Sequence, residues 1–354
     1  MISTITPNAT TTSLEIPNSR LKIATFNLLN YLEPPFACYE FERIYSEQQW
    51  QKKQRWIRDY LAQCQPDVIG FQEVFSPASL QALVKECGYD YFSVIDECTV
   101  VDDFICSSPV VALASRYPIT DAVAVTQDAA LATEIGLADD FVFSREILRA
   151  TVDLPHIGEC DCYVVHFKSK RARLEHTEDE HLTGEENIIE SLKANVAGGW
   201  ASTIQRGSEA TLLMVEMIKR KVETQKPMLL MGDFNNNLND GVLSQLLTNN
   251  LRFVSKVDKD KFLEKYCLQD VWSLFTESDF YQGQSRQPTH YFGESSSVLD
   301  HILVSCEFDA KYNKSVFSVT DYDTYDRHLI NPIFDRDGES TDHGIVLVTL
   351  QLRS

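Results

Sequence analysis

Apolar and polar residues alternate over 21–27 and then stop, which predicts a strand ending near Asn27. A 3.6-residue rhythm over 47–63 predicts a helix. Trp50, Ile57, Tyr60, Leu61 and Cys64 lie on one face, Ser46 and Gln49 form a capping box, and Pro66 marks the end. The short apolar run 67–71 predicts a buried strand that delivers Glu73. A second helix follows, with Ser76 as its cap, Pro77 at its first position and Gly88 as its stop. Strand-like segments recur near 91–95, 109–115, 119–126, 146–153 and 161–167. Residues 170–187 are charged and predict a loop. A helix near 206–222 carries Ala210, Leu213, Met214, Met217 and Ile218 on one stripe. The run Met228–Met231 and segments 298–305 and 344–352 predict further strands. Strand–helix–strand units mixed with strand-rich stretches predict an α/β fold with two sheets packed face to face and helices outside.

The chain has 354 residues, 44% of them hydrophobic, enough for a large core. It has no solenoid repeat and no linker rich in Pro, Gly or Ser. We therefore expect a single domain over 21–354, with residues 1–20 as a flexible polar leader. The sequence shows no apolar run of membrane-spanning length, and residues 1–20 carry no secretory pattern. Asn8-Ala9-Thr10 fits a glycosylation sequon, a match common by chance. The nine cysteines form no framework pattern, which predicts reduced thiols and a cytoplasmic setting. Cys160 and Cys162 are read as core filling. A formal net charge of −20 argues against a protein that simply coats nucleic acid. It leaves local binding through a patch and a metal, or a smaller substrate.

Six short strings place an acid, an amide or a histidine at the edge of a hydrophobic run. They are Thr25-Phe26-Asn27, Gln72-Glu73-Val74, Val165-His166-Phe167-Lys168, Gly232-Asp233-Phe234-Asn235, Leu299-Asp300-His301 and Thr341-Asp342-His343. Strand ends let a rigid sheet present such side chains together. Oxygen ligands with two histidines suit a hydrated divalent cation and proton transfer at phosphorus.

Glu73 is read as a Mg²⁺ or Mn²⁺ ligand, although an exposed strand-end glutamate would look the same. Asp233 and Asn235 alternate around Phe234, so a continued strand would put both on one face; the asparagines that follow read equally well as a turn. Asp300 is read as orienting His343. His166, Lys168 and Lys170 would share one side of an extended segment, with Arg171 and Arg173 nearby, suited to phosphate contacts. A solvated loop balancing the acidic stretch 175–186 is the other reading. Arg145 is a further phosphate contact. His301 is expected on the opposite face. Tyr31, Phe36, Tyr39, Phe41 and Tyr45 either stack on bases or cap the core.

In this order, these motifs resemble the endonuclease/exonuclease/phosphatase superfamily, the deoxyribonuclease I-like fold, over about residues 21–352. Phe143-Ser144-Arg145-Glu146 is similar to its arginine-bearing segment. Asn27-Leu28-Leu29-Asn30-Tyr31 and His166-Phe167-Lys168-Ser169-Lys170 look closer to bacterial nucleases of the extracellular type. The resemblance implies a four-layer α/β sandwich with the site at one end of two mixed sheets. It implies Glu73 as the main metal ligand, helped by Asn27 and Asp342. Asp233 and Asn235 would position the attacking water and the phosphate, and His166 and His343 would flank the scissile phosphate. Thr341 stands where serine is usual, the glutamate that pairs with the first histidine has no counterpart, and segments 170–205 and 306–340 read as insertions.

The expected function is a metal-dependent phosphodiesterase, first of all a nuclease acting on DNA or RNA. A small phosphoester, a phosphoinositide or a phospholipid head group is the alternative substrate. A non-catalytic binding module is the third reading.

Overall fold

The computed structural model describes residues 19–101, 103–247 and 264–353. Most of the expected leader and the Asn8 sequon lie outside these residues. The first six-stranded sheet runs in the order β16 (Phe317–Tyr325), β17 (Ile345–Leu352), β1 (Arg20–Tyr31), β3 (Val68–Val74), β7 (Val110–Ser115), β4 (Tyr91–Val94). The second runs β12 (Gln269–Asp270), β15 (Asp300–Val304), β11 (Met228–Asp233), β10 (Gly158–His166), β9 (Leu148–Leu154), β8 (Ile119–Ala124). In both, the central pair is parallel (β1 with β3, β10 with β11) and the other neighbours are antiparallel. A hairpin, β13 (His290–Phe292) and β14 (Ser295–Ser297), and a small sheet of β2 (Ala37–Cys38), β6 (Ile105–Ser107) and β5 (Thr99–Val101) sit beside them.

The layers follow from the two-residue period of the strands. Leu21 and Ile23 of β1, Val346, Val348 and Leu350 of β17, Cys160, Cys162 and Val164 of β10, and Leu229 and Met231 of β11 meet in one core between the sheets. The alternate residues face outward. Ala24 and Phe26 pack with Trp56, Tyr60 and Leu61 of α1 (Glu47–Cys64) and with α2 (Pro77–Glu86). Tyr163, Val165 and Leu230 pack with Ala210, Leu213 and Met217 of a long helix, Gly184–Thr224. Helix, sheet, sheet, helix is the expected four-layer sandwich. Gly70 allows the close approach, because a Cβ there would press on Met231 and Val164 of the facing sheet.

Several elements differ from the sequence reading. The helix expected near 206–222 is only the second half of the 41-residue one, which begins at Thr183 with its own capping box. Its first half keeps Ile188, Leu192, Val196 and Trp200 in solvent, so no buried stripe marks it. β1 continues past Asn27 to Tyr31 through Leu29 and Asn30, both in left-handed backbone. Ser76 precedes α2 without capping it; its hydroxyl instead accepts a hydrogen bond from the Glu33 amide. No helix among the described residues is long and apolar enough to cross a membrane.

Candidate active site

The inward-facing row of each central strand changes character at one end. On β1 it reads Leu21, Ile23, Thr25, Asn27; on β10, Cys162, Val164, His166; on β11, Leu229, Met231, Asp233; on β15, from the same end, Asp300, Ile302, Val304. The register sets these polar ends side by side. His166 lies opposite Asp233, and Asp233 lies opposite Asp300. Gly232 makes the close pairing possible, since a Cβ there would run into the Val165 carbonyl.

One oxygen sits at the centre. Asp233 Oδ2 accepts from Asn27 Nδ2 at 3.2 Å and from Asn235 Nδ2 at 3.3 Å. His166 Nε2 is 3.4 Å away and His343 Nε2 3.9 Å. Burial and the nearby Asp300 carboxylate push the Asp233 carboxyl up to about 7, against the pull of His343. His343 Nδ1 lies 2.8 Å from Asp300 Oδ2. The Asp300 and Asp233 carboxylates outweigh the cost of burial and hold the His343 imidazolium well above its usual range. His166 goes the other way. Burial, with Arg145, His343 and Lys168 nearby, keeps it neutral, and its Nδ1 is buried with no partner among the described residues. The missing glutamate of the sequence comparison thus has a structural counterpart in an unsupported ring nitrogen.

Thr341 takes the place of the usual serine without loss of the link. Its hydroxyl donates to the Asn27 carbonyl at 2.7 Å and accepts from the His343 amide at 3.2 Å, joining β1 to the loop before β17. Glu73, the next-to-last residue of β3, is itself in left-handed backbone, and its Oε2 accepts from the Asn30 amide at 2.9 Å. It is half-buried, whereas Asp342 is exposed. Glu73, Asp342 and the Asn27 side chain offer oxygen donors of the kind a hard divalent ion takes, although Asn27 Oδ1 already accepts from the Leu29 amide at 3.0 Å.

One predicted placement resolves to its turn reading, and one needs correction. Asp233 and Asn235 do come together, but not by strand alternation. β11 ends at Asp233, Asn235 is left-handed, and its amide N–H donates to Asp233 Oδ1 at 2.8 Å in a side-chain-closed turn. Its Nδ2 also donates to the Phe167 carbonyl at 2.9 Å. Nor do His166, Lys168 and Lys170 share one side of a continued strand. β10 stops at His166, and Lys168 Nζ turns to Ser169 Oγ and the Arg171 carbonyl. Lys170 is exposed. Arg145 stands beside the site, where Nη1 donates to the carbonyls of His166 and Phe167 at 3.3 and 3.5 Å. His301 points away, to the Asn236 carbonyl and Arg286.

Three residues, Glu209, Lys53 and His290, escaped the sequence reading. Glu209, buried on the long helix, accepts from the amides of Ser144 and Lys168 at 2.7 and 2.8 Å and so braces both flanking loops. Lys53, buried on α1, donates to the Ser340 carbonyl at 2.9 Å; burial lowers its ammonium to about 8, against the pull of Glu73 and Asp342. Both are charged residues inside an apolar stripe, a signal the sequence did carry. Tyr39, in left-handed backbone, lies near Arg145 and stacks edge-on against Phe75. His290, beside His343, belongs to no motif.

No curated protein matches the chain. Solved structures do, and they show the fold. The human Nocturnin catalytic domain with bound sulfate matches at 16% identity and TM-score 0.55, covering 95% of each chain. D. rerio TDP2 complexed with a single-strand DNA product matches at 14% and 0.52, covering 94% of this chain and 99% of that one. An endonuclease/exonuclease/phosphatase family protein from Bacteroides thetaiotaomicron matches at 18% and 0.51, covering 94% and 95%. The Endonuclease/Exonuclease/phosphatase family model matches residues 24–308, most of the chain and all of the site except the final Asp342-His343 pair. On that match the chain belongs to this family.

Proposed function

We propose that the chain is a divalent-metal-dependent phosphodiesterase with nucleic acid as its substrate. The observation that carries the reading is the set of two amides and two imidazoles around Asp233 Oδ2. A carboxyl raised to about 7 is matched to accepting a proton near neutral pH. Asp233 takes a proton from the attacking water as the new P–O bond forms. Asn27 and Asn235 hold the carboxylate in place. His343, fixed by Asp300 and charged, gives a proton to the leaving oxygen as the ester bond breaks. His166, neutral and unsupported, donates a hydrogen bond to a phosphoryl oxygen, with Arg145 and Lys170 as outer phosphate contacts. Glu73, Asn27 and Asp342 would hold Mg²⁺ or Mn²⁺, which when bound supplies Lewis-acid polarisation of the phosphate.

The single-strand DNA product named for D. rerio TDP2 supports nucleic acid as the first substrate to try. The net charge of −20 favours a second reading, a small phosphoester or a lipid head group. A panel of supercoiled plasmid, single-stranded RNA, a head-group diester and a simple monoester, each with and without chelator, tests both. The first reading expects chelator-sensitive plasmid or RNA cleavage that falls steeply with salt. Cleavage of the monoester alone would overturn it.

A further inference from the structure

The geometry points to a second metal site, for a transition-metal ion such as Zn²⁺, formed by His290, Asp342 and His343. One donor atom from each of these residues lies within 4.8 Å of the other two. Donors around a tetrahedral zinc sit roughly 3.3 Å apart, as Zn–N bonds of about 2.0 Å require. Any gap beyond that falls to the exposed Asp342 side chain to close. Among the described residues, neither the His290 ring nor the Asp342 carboxylate is tied up in a hydrogen bond. His343 has spent Nδ1 on Asp300, which leaves Nε2 for a ligand. A carboxylate on the far ring nitrogen is the usual support for a metal-binding histidine.

The frame is rigid. His290 and His343 form an antiparallel bridge, and their rings lie 5.2 Å apart between centroids. Thr289 anchors the hairpin. Its carbonyl accepts from the Gly344 amide at 2.6 Å, and its hydroxyl accepts from the amides of Leu299 and Asp300 at 2.9 and 3.1 Å. Asp300 and Asp342 favour a cation here, the charged His343 ring and Lys170 oppose it, and an incoming ion displaces the proton from His343 Nε2. Two imidazoles and one carboxylate select a borderline ion over Mg²⁺, whereas the oxygen donors around Glu73 do the reverse.

An ion held by this trio removes His343 and Asp342 from the catalytic set together, so the site is inhibitory. That consequence rests on the proposed function; the binding does not. The test strips the purified chain with chelator and titrates Zn²⁺ against a chromophoric competitor, in the wild type, His290→Ala and His290→Gln. Thiol sites common to all three cancel in the difference. The expected result is one fewer zinc equivalent in both variants. Zinc-free hydrolysis should be unchanged, with the zinc level that halves it raised about tenfold or more. Equal zinc stoichiometry and affinity in all three proteins would overturn the site, whether or not any phosphoester is cleaved. If the variants fail to fold, visible absorption of Co²⁺ added to the wild type decides instead. A four-coordinate spectrum supports the site, and a spectrum of six-coordinate cobalt alone overturns it.

Discussion

From the first sheet come Glu73 and the loop bearing Asp342, one half-buried and one exposed, each with oxygens facing water. From the second come His166, Asp233 and Asp300, all buried and in contact across neighbouring strands. Asn27 joins the halves through Asp233, and Thr341 ties Asn27 to the loop bearing Asp342. The difference matches two kinds of work. A hard cation keeps part of its water shell and needs open oxygens. A proton-transfer group needs its acidity moved, and burial beside chosen charges is what moves it.

The largest effect should come from the open half. Glu73→Gln keeps the shape and removes the charge, and turnover should fall about a thousandfold, within the range for metal and acid–base groups. Metal titration should show the same variant binding Mn²⁺ more weakly, and undiminished Mn²⁺ affinity would move the ion elsewhere. Next come the buried groups, His343 among them. His343→Gln should cost about a hundredfold in kcat. Asp300→Asn should cost less and shift the alkaline limb of the pH–rate profile downward, because the imidazolium loses its carboxylate partner. An unshifted limb would remove Asp300 from its orienting role.

His166→Gln should cost under tenfold in kcat, since a neutral ring with an unsupported Nδ1 supplies one hydrogen bond rather than a proton. A loss equal to that of His343→Gln would erase the distinction drawn between the two histidines.

The smallest effect is on stability and needs chelated protein. The Asp233 carboxyl is raised from its ordinary 3.8 to about 7, so the folded state binds more protons than the unfolded state in that window. Its contribution is complete below about pH 4 and disappears as pH rises through 7. Thermal unfolding of the wild type should show this decline, and Asp233→Asn should flatten it. Equal slopes would mean that the carboxyl is not raised.

The site was legible where alternation ran into chemistry. Asn27, His166, Asp233 and Asp300 each sit at the end of an apolar inward row, and a two-residue period carries that information in the sequence. What was not legible depends on distant partners. The turn that gathers Asn235 onto Asp233 needs a left-handed backbone that the strand pattern conceals. Lys168 looks like a phosphate ligand, but its Nζ turns to Ser169 Oγ and the Arg171 carbonyl while Glu209, 41 residues away, holds its backbone amide. The strand Phe317–Tyr325 alternates buried with charged or half-buried residues and pairs only at the sheet edge, so its pattern is faint. His290 becomes visible only once the hairpin bridges to His343.

β1 and β17 run antiparallel, with Arg20 opposite Gln351 and the Leu352 amide bonded to the Ser19 carbonyl. The catalytic groups lie at the other end of the same two strands. A short linker from Arg353 to Ser19, with new ends opened at the exposed Gly136 turn, would therefore give a circular permutant whose splice is remote from the reacting centre. The same layout allows an immobilising tag or a fluorescent fusion to be carried at that pole, leaving the substrate approach unobstructed.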